Sequence, residues 1–168
     1  ARTKGVPMLG SGAVYNVPQD IYTCDPFEIP SHFRRIVGID FGIDHPAAAA
    51  WIAHDPDTDI IYVYDCYKMA GKVAAYHAQA INARGTWIPV SWPHDGATRD
   101  KGGGEALADQ YRALGVNMLG FSARLDDHKG GGQSRAPTTE DILQRMNTGQ
   151  FKVFRHLSEL LEEMRMLH

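Results

Sequence analysis

From Arg34 onward, apolar residues gather in short runs bounded by turn residues, the pattern of strands packed into a sheet. Arg34-Arg35-Ile36-Val37-Gly38-Ile39-Asp40-Phe41-Gly42 is the first run, Ala47–His54 the second and Ile60–Tyr67 the third. Between the last two lies Asp55-Pro56-Asp57-Thr58, whose side chains and fixed proline φ favour a tight reversal. Three such runs with short polar links predict an antiparallel meander.

The period then changes. Val73, Tyr76, His77, Ala80 and Ile81 recur at helical spacing and stop at Gly85, a good helix terminator. This helix carries the chain over to a further strand within Trp87–Gly96. After Gly102-Gly103-Gly104, the residues Leu107, Ala108, Tyr111 and Leu114 form a second amphipathic stripe ending at Gly115, and Val116–Leu119 reads as a short strand. Residues 126–137 are polar and glycine-rich and read as a mobile loop. A third helix is expected from Thr139 to Asn147, a last strand at Phe151–Phe154, and a final helix along Leu157, Leu160, Leu161, Met164 and Leu167. Residues 1–33 hold four of the nine prolines and no sustained period, so they read as an irregular lead-in or linker. An antiparallel meander followed by alternating helices and parallel strands, with helices on both faces, is the element order of an α/β ribonuclease H-like fold.

Composition narrows the class. A chain of 168 residues with 43% hydrophobic content is sized for one domain with a true core. A net charge of −3 excludes an overall basic nucleic-acid binder, so any such surface must be a local patch. Cys24 and Cys66 form no CxxC pair and suit a reduced intracellular protein, with both thiols structural. No apolar run approaches the ~20 residues of a membrane span. The chain opens on Ala1 and closes on His168 within an amphipathic pattern, and it reads as an excerpt of something larger.

The candidate chemistry starts with Asp40, a carboxylate inside a buried-strand pattern, where an acid needs a partner. Asp95 ends the strand that follows the first helix. If the two strands are neighbours, these acids face each other across an oxygen-rich site suited to Mg²⁺ or Mn²⁺, and they repel unless a cation lies between them. The plainer alternatives are an ion pair of Asp40 with Arg34 or Arg35, and a turn or N-cap role for Asp95 before Gly96. Asp44 reads as a turn residue, His94 as structural rather than a base, and Asp65 as the cap of its strand. Arg99 and Lys101, set among Gly96, Gly102, Gly103 and Gly104, are placed to touch a DNA phosphate backbone, or else belong to a solvated loop. Asp126 and Asp127 read as solvated charge.

Ile36–Gly42 with the alanine-rich strand around Trp51, Pro93-His94-Asp95-Gly96-Ala97, and Gly149–Phe154 with its leucine-rich helix together resemble the nuclease domain of the large terminase subunit of tailed bacteriophages. The likeness covers roughly residues 30–168. It implies that Asp40 and Asp95 are catalytic and bind a two-ion Mg²⁺ or Mn²⁺ site that cuts concatemeric double-stranded viral DNA. It also implies an ATPase domain upstream in the same polypeptide, joined through residues 1–33, and a small terminase subunit and a portal protein as partners. The expected setting is the host cytoplasm, without retention in the mature virion. In the family a further aspartate follows the leucine-rich helix, whereas this chain stops at His168, so the remaining metal ligands are expected beyond a truncated C-terminus. No GxxxxGK[ST] loop is present, so ATP hydrolysis is not expected of this segment. Two other readings of Gly38–Gly42 and Asp95-Gly96 are an actin-like or sugar-kinase ATPase lobe and a non-catalytic ribonuclease H-like docking module. The former fits poorly because Ile43-Asp44-His45-Pro46 lacks the Ser/Thr-rich turn that would hold phosphate.

Overall fold

A computed structural model describes residues 12–42, 45–94, 103–124 and 135–168. The meander is present as expected: β2 (Arg34–Asp40), β3 (Ala47–Asp55) and β4 (Ile60–Met69) pair antiparallel in sequence order. Helix α1 (Ala74–Asn82) then crosses to β5 (Val90–Ser91), which lies parallel to β2 with Gly38 opposite Ser91. On the far side β6 (Phe151–Phe154) runs parallel to β4, and β1 (Thr23–Cys24) is added outside it. The result is one six-stranded mixed sheet in the order β1-β6-β4-β3-β2-β5.

Alternation along the central strands sends their side chains to two cores, one on each face. Val37, Ile39, Ala49 and Trp51 pack under Ala78 and Ile81 of α1 and under Ala108 and Tyr111 of α2 (Gly103–Ala113). On the other face, Val63, Val153 and Phe154 meet Met146 of α3 (Arg135–Asn147) and Leu161 of α4 (Ser158–Met166). Each fully buried aliphatic or aromatic side chain contributes about 1.5–3 kcal/mol, so both helical layers are held by the sheet rather than by helix propensity alone. Trp51 is 0% exposed and carries the Arg84 guanidinium 4.6 Å from its ring centroid. Arg84 Nε in turn donates to Asp65 at 2.7 Å. Asp65 faces the same side as Trp51 because a bulge between Trp51 and Ile52 leaves Tyr64 as the extra residue of β4. Asp65 is therefore an internal anchor of the first core, not a strand-end cap.

Several elements differ from expectation. The strand within Trp87–Gly96 shrinks to two residues, because Pro89 and Pro93 bring no N–H to the ladder; Pro89 still accepts from the Val37 N–H at 2.9 Å. Val116–Leu119 makes only an isolated bridge, Val90 to Met118. Gly103 and Gly104 lie inside α2 rather than before it. Helix α3 starts at Arg135, four residues earlier than Thr139, with Pro137 in its first turn, where a missing N–H breaks no helical bond. Much of residues 12–33 is irregular, yet Thr23–Cys24 forms β1 and Tyr15, Val17 and Tyr22 are buried in the second core. Among the described residues no helix is long and apolar enough to cross a membrane.

Candidate functional site

Asp40 is the last residue of β2, the strand between β3 and β5. Its neighbours Ile39 and Phe41 are both buried in the first core, and the Phe41 ring lies 5.5 Å from that of Tyr111. With both flanking side chains pinned on one face, the pleat directs Asp40 to the other. The expectation of a buried acid is corrected here: the Asp40 side chain is 57% exposed, because the sheet opens where the strand ends. An ion pair with Arg34 or Arg35 is also ruled out by register. Arg34 pairs with His54 at one end of β2 while Asp40 pairs with Ala48 at the other, about 20 Å away at the usual rise per residue. Arg35 is instead held by the Ile29 carbonyl at 3.0 Å and lies over the rings of Tyr64 and Trp87.

Asp40 Oδ1 accepts a hydrogen bond from the Gly42 N–H at 3.1 Å, and Oδ2 lies 3.8 Å from His45 Nε2. The first contact depends on a backbone that only glycine adopts readily. Gly42 has φ +69°, and a Cβ there would stand 2.3 Å from the Ala47 nitrogen and 2.6 Å from the His45 carbonyl oxygen. A Gly42→Ala protein is expected to lose about 1–3 kcal/mol of stability and to release the Asp40 carboxylate from its anchor. Thermal unfolding checks it, and an unchanged Tm would overturn the anchoring role.

A cleft of about 420 Å³ opens beside Asp40. Gly38, Ala48, Ala50 and Cys66 form its floor, and Glu159 and Glu163 of α4 stand in its wall. Glu163 is paired with Lys68 across the cleft, and this hydrogen bond holds the Lys68 ammonium above its ordinary pKa. Burial pushes the Cys66 thiol up, which keeps it protonated and unreactive as expected of a structural cysteine. Glu159 and Glu163 were missed in the sequence. Their spacing of four on a leucine-striped helix is the signal that would have found them.

Asp95, Arg99, Lys101, Asp44, Asp126 and Asp127 lie outside the described residues. His94 is described and exposed, one residue past Pro93. The parallel pairing of β2 with β5 meets the condition set for Asp40 and Asp95, that their strands be neighbours. Asp40 suits a hard divalent cation: it is an accessible carboxylate with one oxygen oriented by a backbone N–H and the other without a hydrogen-bond donor among the described residues. The described residues do not complete a ligand set around it. The three-residue grouping they do contain joins Asp55 and Asp57 of the β3–β4 turn to His32 of the segment before β2. There Asp55 is occupied by the Asp57 N–H at 2.9 Å and the Thr58 hydroxyl at 2.8 Å.

Comparison with known proteins agrees with this fold. Residues 37–168 match the family described as Terminase RNaseH-like domain. The chain is 38% identical over all 168 residues to the large terminase subunit of Salmonella phage P22, covering 33% of that protein; it thus spans about a third of the length of the curated relatives it matches. Among solved structures, the P22 large terminase nuclease domain superposes with a TM-score of 0.87 at 37% identity, over 95% of this chain and 81% of that one. The zinc-bound large terminase nuclease of thermophilic phage G20c shares the fold, with a TM-score of 0.60 at 17% identity over 92% of this chain and 88% of that one. With an α/β/α ribonuclease H-like sheet, an accessible carboxylate ending β2 and a sequence match over most of its length, the chain belongs to the terminase RNaseH-like domain family.

Proposed function

We propose that the chain is the nuclease portion of a viral large terminase subunit, a metal-dependent endonuclease that hydrolyses phosphodiester bonds of double-stranded DNA. The observation that carries the reading is the placement of Asp40 at the open end of β2, next to the parallel strand β5 that leads towards Asp95. Asp40 and Asp95 would hold the metal, with Mg²⁺ or Mn²⁺ in a two-ion arrangement as the best match to their oxygen donors. A bound pair of such ions supplies an activated water and neutralises charge on the leaving oxygen. Gly42 fixes one oxygen of Asp40 so that the other can turn to the ion, and the buried pair Ile39 and Phe41 holds the strand end still.

Nothing among the described elements resembles a base-reading helix or zinc finger, so cutting would be weakly sequence-specific. Positional control would come from partners: the ATPase part of the same polypeptide, a small terminase subunit and a portal, acting on concatemeric DNA in the host cytoplasm. Arg99 and Lys101 remain proposed DNA contacts.

The test is incubation of supercoiled plasmid with the chain in Mn²⁺, with and without EDTA, beside Asp95→Ala. Nicked and linear products that need the metal and are lost with Asp95→Ala are the expected result. A chain that binds Mn²⁺-loaded plasmid but never nicks it would instead be a docking module.

A further inference from the structure

Beyond β5 the chain forms a second depression, about 470 Å³ in volume, that shares Trp92 with the Asp40 cleft. The segment 119–124 runs alongside β5 and its continuation: the Leu119 N–H donates to the Val90 carbonyl at 2.9 Å and the Ala123 N–H to the Trp92 carbonyl at 2.8 Å. Extended backbone alternates its side chains. Ala123 accordingly lines the Asp40 cleft, while Ser122 and Arg124 line the second depression. Arg124 is thus one residue removed from the wall of the candidate active site.

The charge balance of this depression is specific. Arg112 is fixed by Asp109 at 2.5 Å and by the Leu119 carbonyl at 2.6 Å, and its guanidinium lies 5.8 Å from the Trp92 ring centroid. Asp109, the carboxylate among the lining residues, is therefore already neutralised. Arg124 has no ion pair and no hydrogen bond among the described residues, which leaves one uncompensated guanidinium in the depression. Phe121, three-quarters exposed, stands at the rim and offers an aromatic face. The Asp40 cleft is the reverse case, with Asp40, Glu159 and Glu163 against the single cation Lys68. An acidic cleft repels DNA on its own, so a polyanion cut there needs cationic holds beside it.

The geometry points to the Arg124 depression as a seat for a backbone phosphate of duplex DNA flanking the bond presented to Asp40. Arg124 makes the charge-assisted contact, Arg112 supports the wall, and Phe121 packs on the adjoining sugar or base. The inference rests on the nuclease reading for its substrate, but its test does not depend on cutting.

Binding of a fluorescein-labelled duplex by the full chain is measured by anisotropy in EDTA across a salt series, for wild type, Arg124→Ala, Arg124→Lys and Arg34→Ala. Arg34 is an equally charged, exposed residue at the opposite end of β2 and serves as the control for a general charge effect. Arg124→Ala is expected to weaken binding about three- to tenfold and to lower the magnitude of the log–log salt slope by about 0.9, the value of one phosphate contact. Arg124→Lys should restore most of the slope, and Arg34→Ala should leave it unchanged. An Arg124→Ala protein with wild-type affinity and slope overturns the proposal, as does an equal effect of Arg34→Ala or a wild type that does not bind. If binding depends on Arg124 while plasmid is never cut in Mn²⁺, the phosphate seat stands and the nuclease reading falls. If plasmid is cut and binding ignores Arg124, the reverse holds.

Discussion

Replacing Asp40 by Asn should reduce Mn²⁺-dependent nicking at least about a hundredfold while leaving the fold intact. Partners that merely orient a metal ligand cost about 10–100-fold when removed, and Asp40 is proposed as a ligand itself. The amide keeps the shape and can still accept from the Gly42 N–H that holds Oδ1 at 3.1 Å, so what is lost is the negative charge. Because the side chain is more than half exposed, stability should move by no more than about 0.5 kcal/mol, as for other surface substitutions. Plasmid nicking and thermal unfolding on the same preparation separate the two effects. Cutting at the wild-type rate would remove Asp40 from the site.

The largest loss of stability is expected from Trp51→Ala. Truncating a buried tryptophan costs about 3–5 kcal/mol, against a total stability of about 5–15 kcal/mol for a domain of this kind. Two further terms act in opposite directions. Trp51 supports Arg84, which is locked between the ring and Asp65, so its removal loosens a part-buried ion pair. Its indole Nε1 has no hydrogen-bond partner, so truncation also removes a donor whose burial costs about 1–3 kcal/mol. Apolar burial is larger than either, because Trp51 is central to the core formed by Val37, Ile39, Ile81 and Val90. Urea unfolding should give a midpoint far below wild type; a loss under about 1 kcal/mol would mean that the first core collapses around the gap.

The central sheet was readable because its strands are long, apolar and separated by unambiguous turns. Asp55-Pro56-Asp57-Thr58 marked the β3–β4 reversal, whereas the alternating burial along Ala47–Asp55 is not visible in its almost wholly apolar sequence and appears only in the fold. What escaped had no local signal. β1 is two residues long and exists only because β6 arrives beside it from the far end of the sequence. The early start of α3 was hidden by Pro137, which looks like a breaker but is tolerated in a first turn. At the site, the position of Asp40 was legible and its environment was not, since a strand-end carboxylate and a strand-core carboxylate have the same local sequence. Glu159, Glu163 and Arg124 reach the neighbourhood of Asp40 through tertiary packing. The rival actin-like or sugar-kinase lobe, suggested by Gly38–Gly42, is set aside by the family match over residues 37–168.

The two outermost strands of the described sheet bear on how copies of this domain meet. Both β1 and β5 are only two residues long, and the outer side of β5 is already taken by the segment 117–123, with the Val90 N–H donating to the Asn117 carbonyl at 2.8 Å and the Leu119 N–H to the Val90 carbonyl at 2.9 Å. A six-stranded sheet with long edges would invite strand-to-strand growth between molecules. Here the long ladders of β2, β3 and β4 are enclosed by neighbours on both sides. The described sheet therefore ends in edges that offer little free backbone to a strand of a second copy.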